Sequence, residues 1–275
     1  MSYKINNFIS SDIDVATYEK RLSICLSSNG FSFSLRSLSD ELLAIGDVAC
    51  NPEAPMVELL TDVKNAFAEM RMQPFGMKET ELVVPSSQFV WIPQHLYDDT
   101  KKNAYLDALC KVSNGYGVYS DFNEEIKSYL IFSANNNQVS AFKIALPGLR
   151  VRCQHLKMVN SYMLAKSDMR SVLMINVREG ESDYGVFCNK KLQMSNTFRC
   201  DSIDETIYHA LNITKQFHLE DAAMDVYVCG EIDRDKYAKL RPYFNKVALF
   251  TGCSLRLTVA EMQHVAAYKY ALILS

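Results

Sequence analysis

Leu22, Ile24 and Leu26 alternate with polar or small neighbours, and Phe31, Phe33 and Leu35 do so again. A two-residue period places each trio on one face of a strand. Ser27-Ser28-Asn29-Gly30 lies between them, and Asn-Gly tolerates the positive φ of a tight hairpin turn. Glu41–Val48 reads as a third strand, which completes an antiparallel meander. From Pro55 to Met72 the period changes. Met56, Leu59, Leu60, Val63, Ala66, Phe67 and Met70 fall at helical spacing, and Gln73-Pro74-Phe75-Gly76 ends the helix.

Two short extended runs, LVV and QFVWI, follow within Glu81–Pro93. A helix is expected over Gln94–Val112, then an SNGYG loop and a buried strand at Ser128–Ser133. A short helix over Gln138–Leu146, a strand at Leu149–Cys153 and a helix over Leu156–Ala165 come next. The order then recurs. Strands are expected at Val172–Val177, Tyr184–Cys188 and Leu192–Phe198, with REGESDYG as a turn region between the first two. A helix runs from Asp204 to Phe217, with Ser202 or Asp204 as its N-cap. A strand at Asp225–Cys229, a short helix over Asp233–Leu240, a strand at Lys246–Phe250 and a closing helix over Val259–Tyr270 complete the chain.

The recurrence has a measurable offset. Leu22 aligns with Leu173, 151 residues on, whereas Leu149 aligns with Lys246, 97 residues on. SYLIFS around Leu130 aligns with DVYVCG around Tyr227 at that same 97. The first half therefore carries a surplus, assigned to Glu81–Asn123. The expected organisation is an N-terminal arm over 1–20, lobe one over 21–155 with an insertion subdomain near 81–123, and lobe two over 156–275. A chain of 275 residues suits two such lobes.

Composition narrows the function classes. The net charge of −3 and the absence of any Lys/Arg run give no reason to expect nucleic acid. No apolar stretch is long enough to span a bilayer, and the polar, acidic start has no signal-peptide pattern. No membrane insertion is expected, and the expected location is the cytoplasm. The eight cysteines form no Cys-x-x-Cys pair and several sit in apolar runs, so they read as small core residues. The five histidines read as structural or surface groups. Asp12, Asp14, Glu124 and Glu125 read as solvated. Trp91 reads as local core, with a partner-binding face as the alternative. There is no Gly-x-Ser-x-Gly, Walker-type or Gly-x-Gly-x-x-Gly motif.

A duplicated meander followed by alternating helices and strands resembles the actin-like ATPase superfamily, which includes actin, sugar kinases, the heat-shock chaperone ATPase domain and pilus-assembly ATPases. The chain as a whole looks like an uncharacterised Bacteroidetes family sharing that fold. The resemblance covers roughly residues 20–275. It implies an α/β fold of two ribonuclease H-like lobes, each a mixed sheet with an antiparallel meander and flanking helices. In that superfamily the first strand of each lobe carries an aspartate, and the hairpin after it holds nucleotide phosphates. Here Cys25 and Asn176 occupy the aspartate positions. Cys25 is a poor Mg²⁺ ligand, and Asn176 cannot act as a base. The same loss of clustered acids speaks against a two-metal nuclease.

The resemblance marks Ser27, Ser28, Asn29, Gly30, Asn176, Gly180 and Gly230 as vestigial phosphate- and adenosine-loop positions. Glu179 and Glu181 flank Gly180 where phosphates would approach, and Glu231 follows Gly230 where a second glycine is usual. The expected function is that of a catalytically inactive scaffold or partner-binding module that has no cofactor and engages a protein partner or its own copies. The alternative is an ATP-binding protein with weak or atypical hydrolysis between the lobes, using Mg-ATP.

Overall fold

The structure, a computed structural model, describes residues 2–11, 19–72, 77–164, 171–219, 224–252, 256–257 and 265–274. The chain divides into two units, residues 1–154 with 254–265 and residues 155–253 with 266–275.

In the first unit the alternating runs form β2 (Lys20–Ser27), β3 (Gly30–Ser37) and β4 (Glu41–Ala49), paired as the expected meander. The arm expected over 1–20 contains a strand. Lys4–Ser10 forms β1 and pairs antiparallel with β4. Its sequence, KINNFIS, has no regular alternation, and pairing along the flank of β4, not a buried face, makes it a strand. Asp12 and Asp14 lie outside the described residues, as does the 73–76 helix stop.

Helix α1 (Met56–Glu69) buries Leu59, Val63, Ala66 and Phe67. The Phe67 ring lies 5.9 Å from both Phe31 and Phe33. Strand β5 (Met77–Val84) then enters the sheet parallel to β2. After it come β6 (Phe89–Pro93), α2 (Lys102–Asp107), β7 (Tyr116–Asn123) and β8 (Ser128–Asn135). These strands build a separate antiparallel sheet in the order β6–β8–β7. Helix α3 (Asn136–Ala145) is capped by the Asn135 side chain and sets Phe142 edge-on to Phe31 at 5.3 Å. Strand β9 (Arg150–Cys153) pairs parallel to β5.

This topology corrects the insertion at both ends. Leu82–Val84 belongs to the main sheet, and Ser128–Ser133 belongs to the extra one. The counterpart of DVYVC is therefore ELVV, not SYLIFS, and the added sheet spans 89–135. Both segments are short apolar runs, and such a run does not reveal which sheet buries it. The helix expected over 94–112 is also cut short. Two 3-10 turns, at Gln94–Leu96 and Asp99–Lys101, precede the six residues of α2. The Asp98 side chain caps the second turn, and Tyr97 stays extended to stack on Tyr129 at 3.7 Å. Trp91 lies half-buried opposite Leu130 in this sheet.

The second unit starts in α4 (Gln154–Leu164) and continues through β10 (Ser171–Arg178), β11 (Glu181–Cys188), β12 (Lys191–Arg199), α5 (Ile203–Gln216), β13 (Met224–Gly230), α6 (Arg234–Leu240) and β14 (Val247–Leu249). Ser202, not Asp204, caps α5. Its sheet runs β12–β11–β10–β13–β14, which repeats the order β4–β3–β2–β5–β9 of the first unit. Leu173, Ile175, Val177, Tyr184, Val186, Val226 and Val228 pack on one face against Ile203, Ile207, Ala210 and Ile213. Helix α4 packs against the sheet, with Tyr162 stacked on Phe187 at 3.8 Å. Strand β15 (Arg256–Leu257) pairs parallel with β4. Of the expected closing helix, 259–264 lies outside the described residues. Ala267–Tyr270 is a 3-10 turn followed by the buried α7 (Ala271–Leu274). Among the described residues no helix is long and apolar enough to cross a membrane.

Candidate functional site

The β2–β3 hairpin brings Ser27, Ser28, Asn29 and Gly30 together at its tip. Ser27 Oγ donates to Asn29 Oδ1 at 2.9 Å, and the Asn29 carbonyl accepts from the Cys50 N–H at 3.1 Å. Gly30 has φ +148°, and a Cβ there would stand 2.0 Å from the Val48 carbonyl oxygen, so the close approach of β4 requires glycine. Cys25 is half-buried on β2, between Ser32 on β3 and Val83 on β5. The nearby acid on the sheet is Glu81 of β5. It accepts from Ser23 Oγ at 2.7 Å and lies 3.8 Å from Arg152, which also pairs with Asp121.

In the second unit, Gly180 sits at the β10–β11 hairpin tip with open space around it. Asn176 and Gly230 are in contact. A Cβ on Gly230, at φ +86°, would lie 2.2 Å from the Val177 carbonyl oxygen and 2.6 Å from Asn176 Oδ1. Gly230→Ala is therefore expected to cost about 1–3 kcal/mol of stability, from backbone strain and displacement of Asn176. A thermal unfolding midpoint equal to that of the wild type would contradict this.

Asn176 does not face outward as a ligand. It is buried, its Nδ2 donates to Asp183 Oδ2 at 2.9 Å, and its Oδ1 accepts from Cys229 Sγ at 3.5 Å. Asp183 lies directly across the hairpin on β11, fully buried. Its Oδ2 also accepts from Arg178 Nε at 2.8 Å, and its Oδ1 accepts from Arg178 Nη2 at 2.9 Å and Thr197 Oγ1 at 2.7 Å. Four hydrogen bonds occupy the lone-pair directions of one carboxylate. Burial alone would raise the Asp183 pKa, but the Arg178 guanidinium outweighs it and holds the carboxyl well below the usual range.

His155 of α4 completes the cluster. The single Thr197 hydroxyl proton goes to Asp183, so Thr197 Oγ1 must accept from His155 Nε2–H at 2.8 Å. That leaves Nδ1 as the acceptor for Ser195 Oγ–H at 2.7 Å. The hydrogen-bond pattern thus assigns the Nε2–H tautomer. Burial pushes the imidazole down to about 4, against the upward pull of Asp183 and with a smaller downward push from Arg178. The ring is neutral at pH 7, so its 3.6 Å approach to Asp183 is not an ion pair.

Asp183 falls within the turn region expected over REGESDYG but lies on β11, and His155, one of five histidines expected to be structural or surface groups, lies beside it. One signal could have found the acid. A two-residue turn at Glu179-Gly180 pairs Arg178 with Glu181, and hence Asn176 with Asp183. An acid thus stands opposite Asn176, one strand over, and is paired with Arg178. Among the described residues no three His, Cys, Asp or Glu side chains gather as a metal site.

The fold has solved relatives. A Bacteroides thetaiotaomicron protein of actin-like ATPase fold and unknown function superposes with TM-score 0.74 at 19% identity, covering 87% of this chain and 94% of that one. PilM, in the PilM-PilN type IV pilus biogenesis complex, superposes with TM-score 0.61 at 10% identity, covering 92% and 96%. No curated protein matches the chain. The architecture is the actin-like ATPase fold. Residues 10–247 match the family described as Protein of unknown function (DUF3822), and the chain belongs to that family.

Proposed function

We propose that this protein is a catalytically inactive member of the actin-like fold that serves as a scaffold or partner-binding module. The observation that carries the reading is the saturation of Asp183. Its two oxygens accept four internal hydrogen bonds, and Asn176, at the strand-one position, is bonded to it. A carboxylate committed in this way has no lone pair left for hydrated Mg²⁺ or for an attacking water. Cys25 supplies no carboxylate in the first unit. The similarly folded PilM occurs in a complex with PilN, which supports partner binding as a use of such a scaffold.

A thermal shift with Mg-ATP tests the catalytic side of the reading. A ligand at a hundredfold excess over its Kd stabilises the folded state by about 2.7 kcal/mol. No shift is expected at millimolar Mg-ATP. A saturable shift, lost when Ser28 and Asn29 are replaced, overturns the reading in favour of atypical nucleotide binding.

A further inference from the structure

A strand at the rim of a sheet directs N–H and C=O groups outward and templates pairing with another chain. Proteins blunt such rims with short strands, bulges, prolines or charges. Strands β9 and β14 have four and three residues. The register of β1 shifts between Ile5 and Asn7. Strand β12 has a shift that leaves Gln193 without a partner, and it carries Lys191 and Arg199 at its ends. Strand β6 has five residues and ends in Pro93. Strand β7 has none of these devices. Its eight residues keep unbroken register with β8 and include no proline, lysine or arginine. Its one charge, Asp121, is paired with Arg152.

The ladder fixes which groups of β7 face out. The Asn136 N–H donates to the Gly115 carbonyl at 2.9 Å. Antiparallel alternation then assigns Gly117, Tyr119 and Asp121 to hydrogen-bonded pairs with Ala134, Phe132 and Leu130. On the other side, the Ser133 N–H donates to Gln88 and the Gln94 N–H to Lys127, so the odd residues of β8 serve β6. The backbone groups of Val118, Ser120 and Phe122 therefore point to the open edge, as does the carbonyl of Tyr116, whose N–H donates to Ser113. Among the described residues no strand other than β8 pairs with β7.

We propose that β7 is a homodimerisation edge, pairing antiparallel with β7 of a second copy across a two-fold axis at Ser120. Val118, Ser120 and Phe122, which present both groups, are centred on Ser120, so this register satisfies the outward donor and acceptor of each in both copies at once. Val118 meets the second copy's Phe122, a favourable β-branched and aromatic pair. Asp121 meets the second copy's Tyr119, so no like charges oppose. The two-fold closes, and the two small sheets become one of six strands. The matched Val118–Phe122 and Tyr119–Asp121 pairs argue for a second copy over an unrelated strand. The proposal is independent of whether the hairpin loops take a nucleotide.

Sedimentation velocity of the full chain over a concentration series, with amide exchange, tests it. A concentration-dependent dimer is expected, with exchange at Val118, Ser120 and Phe122 slowing as it forms. Val118→Pro removes an outward N–H from each copy and spares the bonds to β8. It should weaken the dimer at least about tenfold. Val118→Lys keeps the backbone donors but sets a charge at the edge, and it reports if the proline variant fails to fold. A monomer at every concentration, with exchange at those amides unchanged, overturns the proposal. So does a dimer of unaltered affinity in both variants.

Discussion

Asp183→Ala is expected to destabilise the second unit by about 3–5 kcal/mol, the usual effect of leaving one member of a buried ion pair uncompensated. The substitution leaves the largely buried Arg178 guanidinium with only the part-exposed Glu181, 2.7 Å away, as a carboxylate partner, and it orphans the Asn176 amide and the Thr197 hydroxyl. Thr197 then has no acceptor for its proton, which also loosens the orientation of His155. The effect should be non-additive. Arg178→Met combined with Asp183→Leu should cost clearly less than the sum of the two single changes, because the buried pair leaves together and only the part-exposed Glu181 loses its partner. Recovery stays partial, since Asn176 and Thr197 still lack their acceptor. Trp91, the only tryptophan, lies in the first unit. Its fluorescence serves as an internal control, while amide exchange across β10, β11 and β12 reads the second unit. A loss below about 1 kcal/mol for Asp183→Ala would show that the carboxylate is not the hub of the cluster.

Acid should weaken the second unit through His155 well before it reaches Asp183. The imidazole is held at about 4 in the folded protein, against an ordinary 6.5. A histidine depressed by folding favours the native state in its neutral form. That contribution is complete above pH 6.5 and is lost as pH falls from 6.5 toward 4. The full swing is on the order of 3 kcal/mol. Asp183 is depressed as well, so its contribution persists down to its ordinary pKa of 3.8 and disappears only below it. The two windows do not overlap. Denaturation followed from pH 7 to 4.5 should show stability falling by about one proton's worth of slope, and His155→Gln should flatten it. Equal slopes in the two proteins would remove His155 from the account.

The elements most legible in the sequence are those with a regular period. The meander β2–β4 follows from alternation and the helices α1 and α5 from helical spacing, while β10 and β13 are legible as short apolar runs and are buried on both faces. Strand β7 left no such trace. Its residues are half-buried on both faces, so YGVYSDFN has no apolar stripe. The 94–112 segment looked helical, but Asp98 and Tyr97 make local and tertiary contacts that compete with the helix.

The candidate site was legible by position and not by partner. Cys25 and Asn176 could be placed by aligning the two halves, and the hairpins around Gly30 and Gly180 by their turn residues. The sequence by itself thus determined a duplicated α/β architecture, since periodicity is a local property of the chain, and the resemblance to the actin-like superfamily set Cys25 and Asn176 where that superfamily carries aspartates. Only the tertiary structure decided where the inserted sheet begins and ends, because that depends on which neighbour a short apolar strand finds. Only it revealed that the acid across from Asn176 is bound by Arg178 and Thr197 and joined through Thr197 to His155. Those residues are spread over four elements, and the network arises when β10, β11, β12 and α4 are packed together.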